Sequence, residues 1–387
     1  MTRKPALVFV LAIALLPARL PAADQPGGKY LVYVGTYTDK GSASKGIYVF
    51  RYDSLAGQFG SPGLAAETQN PSFLAVGPDG RFVYAVNEIS DYEGQHSGGV
   101  TAFSVDRKSG RLTFLNEVAS RGADPCYISF DKAGHFVLVA NYTGGSLATF
   151  PVRENGRLGQ AAAFVQLTGS SVNRERQEAA HAHWIEVTPD NRFALAADLG
   201  TDEVQIYRFH AQNGSLTPND SPFAKLMPGS GPRHVAISPD GEFVYVLSEL
   251  KSTVSAFKYD ATRGRLHELQ TISALPENFF GKNEAAELVM HPSGKFLYAS
   301  NRGEDGIAVF RVDAEKGTLM PIEHVPTEGK TPRHVAIDPT GSLLLAANQD
   351  SNNIVVFRVD SATGKLITTG QKLEVASPVC IAFLSIQ

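Results

Sequence analysis

Apolar and polar residues alternate with a period of two along most of this chain, and the alternating stretches recur. Six of them read "RFVYAVNE", "HFVLVANY", "RFALAADL", "EFVYVLSE", "KFLYASNR" and "SLLLAANQ". Each ends in a small or polar residue followed by a variable one, and the alternation with Val, Phe and Tyr marks half-buried β-strands. Tripeptides such as "PDG", "PSG" and "PTG" stand before them and supply the turn from a preceding short apolar strand. A third strand follows in each unit, seen in "GVTAFSVD", "SLATFPV", "EVQIYRF", "TVSAFKY", "GIAVFRVD" and "NIVVFRVD". Fourth strands are fainter, "RLTFLNEVAS" being an example.

Spacing turns the resemblance between stretches into a repeat. Pro78, Pro189, Pro239, Pro292 and Pro339 each stand nine residues before Asn87, Asp198, Ser248, Asn301 and Asn348, and Lys132 keeps the same distance from Asn141. The units start near residues 71, 125, 182, 232, 285 and 332, with a partial start at 378, a period of 46 to 57 residues. The two chain ends supply missing halves. "KYLVYVGTYT" is a middle strand without a first strand, and "SPVCIAFL" is a first strand without a middle one. Joined, they make a seventh unit and leave no open sheet edge. The pattern therefore predicts an all-β chain, a seven-bladed β-propeller over residues 28–387 closed by pairing of its N- and C-terminal strands. A β-helix or a sandwich does not explain complementary half-units at the termini.

Residues 1–23 read differently. Arg3 and Lys4 precede an apolar run from Ala6 to Leu16 and then small residues, the pattern of a secretory signal peptide. That run is too short to span a bilayer. The expectation is an exported protein, periplasmic or secreted, free of the membrane once the signal is removed. A net charge of −4 without a basic stripe argues against a nucleic-acid partner. Cys126 and Cys380 fall in units separated by the one that begins at Pro71, so no disulfide between them is expected.

Antiparallel first and second strands place the start of one and the end of the other at the same mouth of the central channel. The first-strand column holds Ser72, Cys126, His183, Arg233, Ala286, Arg333 and Val379, beside Phe73, Tyr127, Trp184, His234, Glu287, His334 and Cys380. The second-strand column holds Thr36, Glu88, Tyr142, Leu199, Glu249, Arg302 and Gln349. Turn and core residues recur in every unit, whereas these columns vary and gather arginine, histidine and carboxylate. Guanidinium forks grip carboxylate or phosphate, and His or Glu beside them handles a proton while an oxyanion forms. The same residues also suit a structural role, each Arg pairing with a carboxylate of the next blade. "HAH", His181 to His183, offers two ligands on one strand face, but no third has a matching spacing, and no metal or other cofactor is expected. Neither a phosphate-binding glycine loop nor a Gly-x-Ser-x-Gly elbow is present.

At these residues the chain resembles the seven-bladed lactonase propellers of the 6-phosphogluconolactonase type. "YVGTYT", "PSFLAVGPDGRFVYAVNE", "AHAHWIEVTPDNRFALAADLGTDEVQIYRF", "GPRHVAISPDGEFVYVLSEL", "YASNRG" and "TPRHVAIDPTG" carry the resemblance over nearly all of the mature chain. It implies hydrolysis of a sugar lactone. A related propeller, the fungal carboxymuconate cycloisomerase, uses one His, two Arg and one Glu around its channel. The matching positions here are His183, Arg233, Glu249 and Arg302, the expected catalytic set, with His183 or Glu249 as general base. Arg333, His234, Glu287, Glu88 and Gln349 are the expected substrate contacts. The four catalytic side chains are expected to face one shared cavity, and replacing Arg233 or Glu249 is expected to change stability by no more than about 2 kcal/mol. The alternatives are a non-catalytic propeller that binds a small anionic ligand or a protein, and a muconate-type cycloisomerase.

Overall fold

In the computed structural model, which describes residues 28–39 and 41–386, seven antiparallel sheets form the whole fold. Six consist of four consecutive strands each and begin at Phe73, Pro125, Ala182, Pro232, Glu284 and Pro332; they are blades 1 to 6. The seventh joins the two ends of the chain. Its inner strand Pro378–Ser385 pairs with Lys29–Thr36 from Tyr30↔Ser385 to Thr36↔Pro378. This is the closure the two half-units predict. Among the described residues the only helical turn is a short 3-10 turn, Gln349–Ser351. The signal peptide expected over residues 1–23 lies outside the described residues.

Strand character follows from the alternation, and its apolar side is spent between blades. Val137, Val139 and Ala148 pack with Tyr84, Val86 and Val100 across the first and second blades; Phe243, Tyr245 and Leu247 pack with Leu297, Ala299 and Phe310 across the fourth and fifth. A second contact fixes the spacing between blades. The Phe that opens a second strand slides under a left-handed glycine in the outer hairpin of the next blade. Phe82 meets Gly156, Phe136 meets Gly214, Phe193 meets Gly264, Phe243 meets Gly317 and Phe296 meets Gly364. In the same layer, the Tyr84 and Tyr298 hydroxyls donate to the Gly156 and Gly364 carbonyls at 2.8 Å. Any larger residue at these glycines would hold the blades apart.

Both cysteines are buried free thiols, in the inner strands of the second and seventh blades. Blade 1 lies between them, as the unit spacing requires.

Gly317 has φ +70°, and a Cβ there would collide with the Phe243 ring. Gly57 also has a positive φ, +62°, but faces open space. We expect Gly317→Ala to lower stability by about 2–4 kcal/mol, the sum of a left-handed backbone cost and overpacking. Gly57→Ala should cost only the backbone share, about 1 kcal/mol. Urea unfolding of the two variants measures the difference, and equal losses would mean that the blades give way freely around Phe243.

Candidate active site

Inner strands enter the channel through a recurring irregularity. In blade 4, Pro232 pairs with Ser248 and His234 with Leu247, so Arg233 has no ladder partner. The same bulge leaves Cys126, His183, Arg333 and Val379 unpaired in their blades. In blade 5 the pairing skips from Ala285 to Leu288, past Ala286 and Glu287. Regular pleating sends neighbouring side chains to opposite faces, and a bulge re-aims one of them. As a result both Arg233 and His234, and both Arg333 and His334, line one narrow waist of the channel. His183, Glu88, Glu287 and Cys126 complete most of its wall. The free space at the waist is ≈10 Å³, about the room of one water molecule.

Above the waist the channel widens to a mouth of ≈920 Å³ lined by polar residues, among them Asp39, Asn70, Tyr142, Gln349 and Asp350. Glu88 and Arg333 face both mouth and waist. The Tyr37 hydroxyl donates to the Glu88 carboxylate, 2.9 Å from either oxygen, and the Arg333 guanidinium lies 5.2 Å from the centre of the Tyr37 ring. Arg333 makes no hydrogen bond or ion pair with the described residues. Below the waist, Phe73, Tyr127, His234 and His334 come from four different blades and pack edge to face or tilted, with ring centres 4.3 to 5.9 Å apart. They separate the mouth from a second cavity of ≈500 Å³ at the other end of the channel.

The nine predicted residues gather at this end of the ring, but not in one cavity. Of the expected catalytic set, His183 and Arg233 line the waist, whereas Glu249 and Arg302 stand behind Arg233. Glu249, 2% exposed, accepts from Arg233 Nε at 2.9 Å and lies 3.0 Å from Arg302 Nη2, with Arg176 on its other oxygen. Burial opposes its charge, yet Arg302, Arg233 and Arg176 together bring its pKa down to about 2. Arg233 is pulled to about 10 by burial and by the Arg302 and Arg333 charges, and keeps its proton at neutral pH. Burial, reinforced by Arg233 and neighbouring cations, drives His183 and His234 well below the usual imidazole range, so both rings are neutral. Burial raises Glu287, which lies 2.7 Å from His234 Nδ1 and 3.2 Å from His334 Nε2. His181, the other half of the "HAH" pair, turns its ring nitrogens to the Tyr142 carbonyl and to Glu178 and stacks on the Tyr142 ring.

Sequence comparison places this ring among known proteins. The profile described as Lactonase, 7-bladed beta-propeller matches residues 31–383. The chain belongs to this family. It is 39% identical to the 6-phosphogluconolactonase of Bacillus subtilis over 356 residues, 92% of this chain and 99% of the relative. A 6-phosphogluconolactonase of Formosa agariphila is 38% identical over 312 residues, 79% of this chain and 86% of the relative. Among solved structures, the periplasmic gluconolactonase of Pseudomonas aeruginosa is similar at a TM-score of 0.86 and 36% identity, covering 93% of this chain and all of that one.

Two contributors to this lactonase-family site escape the column pattern. Arg176 arrives from the long connection between Gln166 and Ala182 and bridges Glu249 to Glu284, with the Tyr142 hydroxyl 3.3 Å away. The length of that connection and its "NRERQ" charges are the available signal. Tyr37 stands one residue past the second-strand column and carries no signal beyond that position.

The Glu249 cluster revises the expected stability. A carboxyl held at about 2 in the folded chain, against an ordinary 4.5, contributes about 3 kcal/mol above pH 4.5. Because the folded pKa is depressed, this stability is lost as pH falls from 4.5 through about 2. Glu249→Gln leaves three guanidinium groups without their shared anion and should cost about 3–5 kcal/mol at pH 7. Its loss of stability on acidification should be shallower than the parent's over pH 4.5 to 2. Denaturant titrations at both pH limits check this, and a loss under about 1 kcal/mol at pH 7 would contradict the ion-pair account.

Proposed function

We propose that this protein hydrolyses an aldonolactone, that its lactone is unphosphorylated, and that the chain works outside the cytoplasm after its leader is removed. The observation that carries the reading is the waist itself, where neutral imidazoles and an uncommitted guanidinium share space for one water directly beneath a polar mouth. Lactone opening needs a water molecule that loses a proton, and cationic donors where the carbonyl oxygen gains charge. Arg333 is free to supply the second. Arg233 joins it from the waist wall, held in place by Glu249. Both Glu249 oxygens are taken, one by Arg233 and Arg302 and the other by Arg176, so its role is to position guanidinium groups, and the proton goes to an imidazole. The names of the relatives, 6-phosphogluconolactonase and gluconolactonase, support the lactone class.

Charge around the mouth supports a neutral substrate. Asp39, Glu88, Asp91, Asp124 and Asp350 line it, and Arg333 is the basic residue among its described wall residues. Carboxylates accept hydrogen bonds from sugar hydroxyls and repel a phosphate dianion. The chain's apolar leader supports export, as does its similarity to a periplasmic gluconolactonase. Among the described residues no helix is long and apolar enough to cross a membrane.

Acid release from glucono-1,5-lactone, corrected for spontaneous opening, tests the activity on the mature protein. We expect kcat/KM to favour the unphosphorylated lactone over its 6-phosphate by about tenfold or more, with the gap narrowing as salt screens the mouth. Arg333→Met should lower kcat on the order of 100-fold and change stability by less than about 1 kcal/mol, because it loses the contact with the Tyr37 ring but no hydrogen bond or ion pair with the described residues. Lactone binding without turnover would make the protein a binding propeller instead, and a preference for the phosphate ester would reverse the substrate assignment.

A further inference from the structure

We propose that His234, oriented by Glu287, is the group that takes the proton from the attacking water at the waist. This rests on the lactonase reading and deepens it by assigning the base. Glu287 sits in the blade 5 bulge, where the Leu288 N–H donates to its Oε1 at 3.0 Å and the Ser300 hydroxyl accepts from its backbone N–H at 3.0 Å. The same Oε1 faces His234 Nδ1 at 2.7 Å, and both residues are buried. A carboxylate at that distance keeps the hydrogen on Nδ1 and leaves the Nε2 lone pair as the acceptor. That nitrogen has no hydrogen-bond partner among the described residues, and its ring forms part of the waist wall.

The neighbouring imidazoles lack this arrangement. His183, with its ring centre 5.3 Å from that of His234, is close enough for one water to touch both. Its Nδ1 is buried without a partner, and burial together with the charges of Arg233, His234 and Arg333 opposes protonation there. An imidazolium formed there would face positive charge with no carboxylate in contact among the described residues. His334 Nε2 lies 3.2 Å from Glu287 Oε2 without forming a hydrogen bond, and its Nδ1 is buried and unpartnered. The groups around His234 are Arg233 on its own strand, Arg333 and His334 of blade 6, His183, Phe73, Tyr127 and Glu287, with Glu249 and Arg302 beyond. The cations and burial keep the ring neutral and ready to accept, and Glu287 stabilises the charge once it forms.

The step balances on these atoms. One water O–H bond breaks, its proton passes to His234 Nε2, and the oxygen bonds to the lactone carbonyl carbon. The carbonyl electron pair moves to the oxyanion beside Arg333. Collapse of that oxyanion breaks the bond to the ring oxygen, which takes the proton back from His234 and leaves a hydroxy acid.

Steady-state kinetics on glucono-1,5-lactone from about pH 3.5 to 9, for the parent, His234→Gln, Glu287→Gln and His183→Gln, test the assignment, with a thermal melt for each. We expect His234→Gln to lose on the order of 100-fold or more in kcat with KM within about threefold of the parent. Glu287→Gln should lose about tenfold, and the acid limb of its kcat/KM profile should move to lower pH, because the imidazolium has lost its anion. A larger kcat loss for His183→Gln than for His234→Gln overturns the proposal, as does an unmoved acid limb in folded Glu287→Gln. Should the Glu287 variant fail to fold, nitrogen-15 spectra of histidine-labelled parent decide separately. A hydrogen on His234 Nδ1 and a bare Nε2 at pH 7 support the pair, and the opposite tautomer overturns it. A parent that opens no lactone overturns the lactonase reading and the assigned base together; a parent that turns over but loses nothing in His234→Gln overturns the base alone.

Discussion

The ladder between residues 29–36 and 378–385 is the constraint on which everything else here depends. Seven twisted sheets packed face to face leave two raw edges unless the first and last share a blade. Sharing it fixes the blade count and directs every inner strand toward one axis. The channel is therefore a by-product of closing the ring. Its wall consists of inner-strand starts and second-strand ends, so residues far apart in sequence, such as Glu88 and Arg333, come to face each other.

Those positions carry charges into a buried place, and burial sets the terms for each. A buried ion is costly unless it is paired. Arg233 and Arg302 meet that demand through Glu249, with Arg176 reaching in from a loop. His183 and His234 meet it by staying neutral. Arg333 meets it by lying against the Tyr37 ring while its guanidinium looks into the wet mouth. The outcome is a division of labour among similar residues. Arg302 and Arg176 hold Glu249, Glu249 holds Arg233 at the waist wall, Arg333 is bound to no carboxylate and is available to a ligand, and uncharged imidazoles are available to a proton. The two readings open for Pro-Arg-His thus apply to different copies. In blade 4 the arginine has a carboxylate partner, Glu249 of its own blade rather than the next, and in blade 6 it has none among the described residues.

The sequence alone determined the repeat, the seven blades, the closure by both termini and the end of the channel where polar residues collect. These rest on local rules: alternation with a period of two, turn residues before the second strand, and constant spacing from Pro78 to Asn87 and its equivalents. Local rules cannot show a bulge, because an extra residue in one strand leaves its composition unchanged. Only the pairing of Pro232 with Ser248 and His234 with Leu247 shows why two consecutive columns face the same channel. Nor can spacing within a blade say which charges meet across blades. That Glu249 is a clamp for three arginines, that Arg176 completes it from a connecting loop, and that Glu287 falls beside His234 were decided by tertiary structure. Coulomb interaction and desolvation depend on distances of a few ångströms between chain segments that only the closed ring brings together.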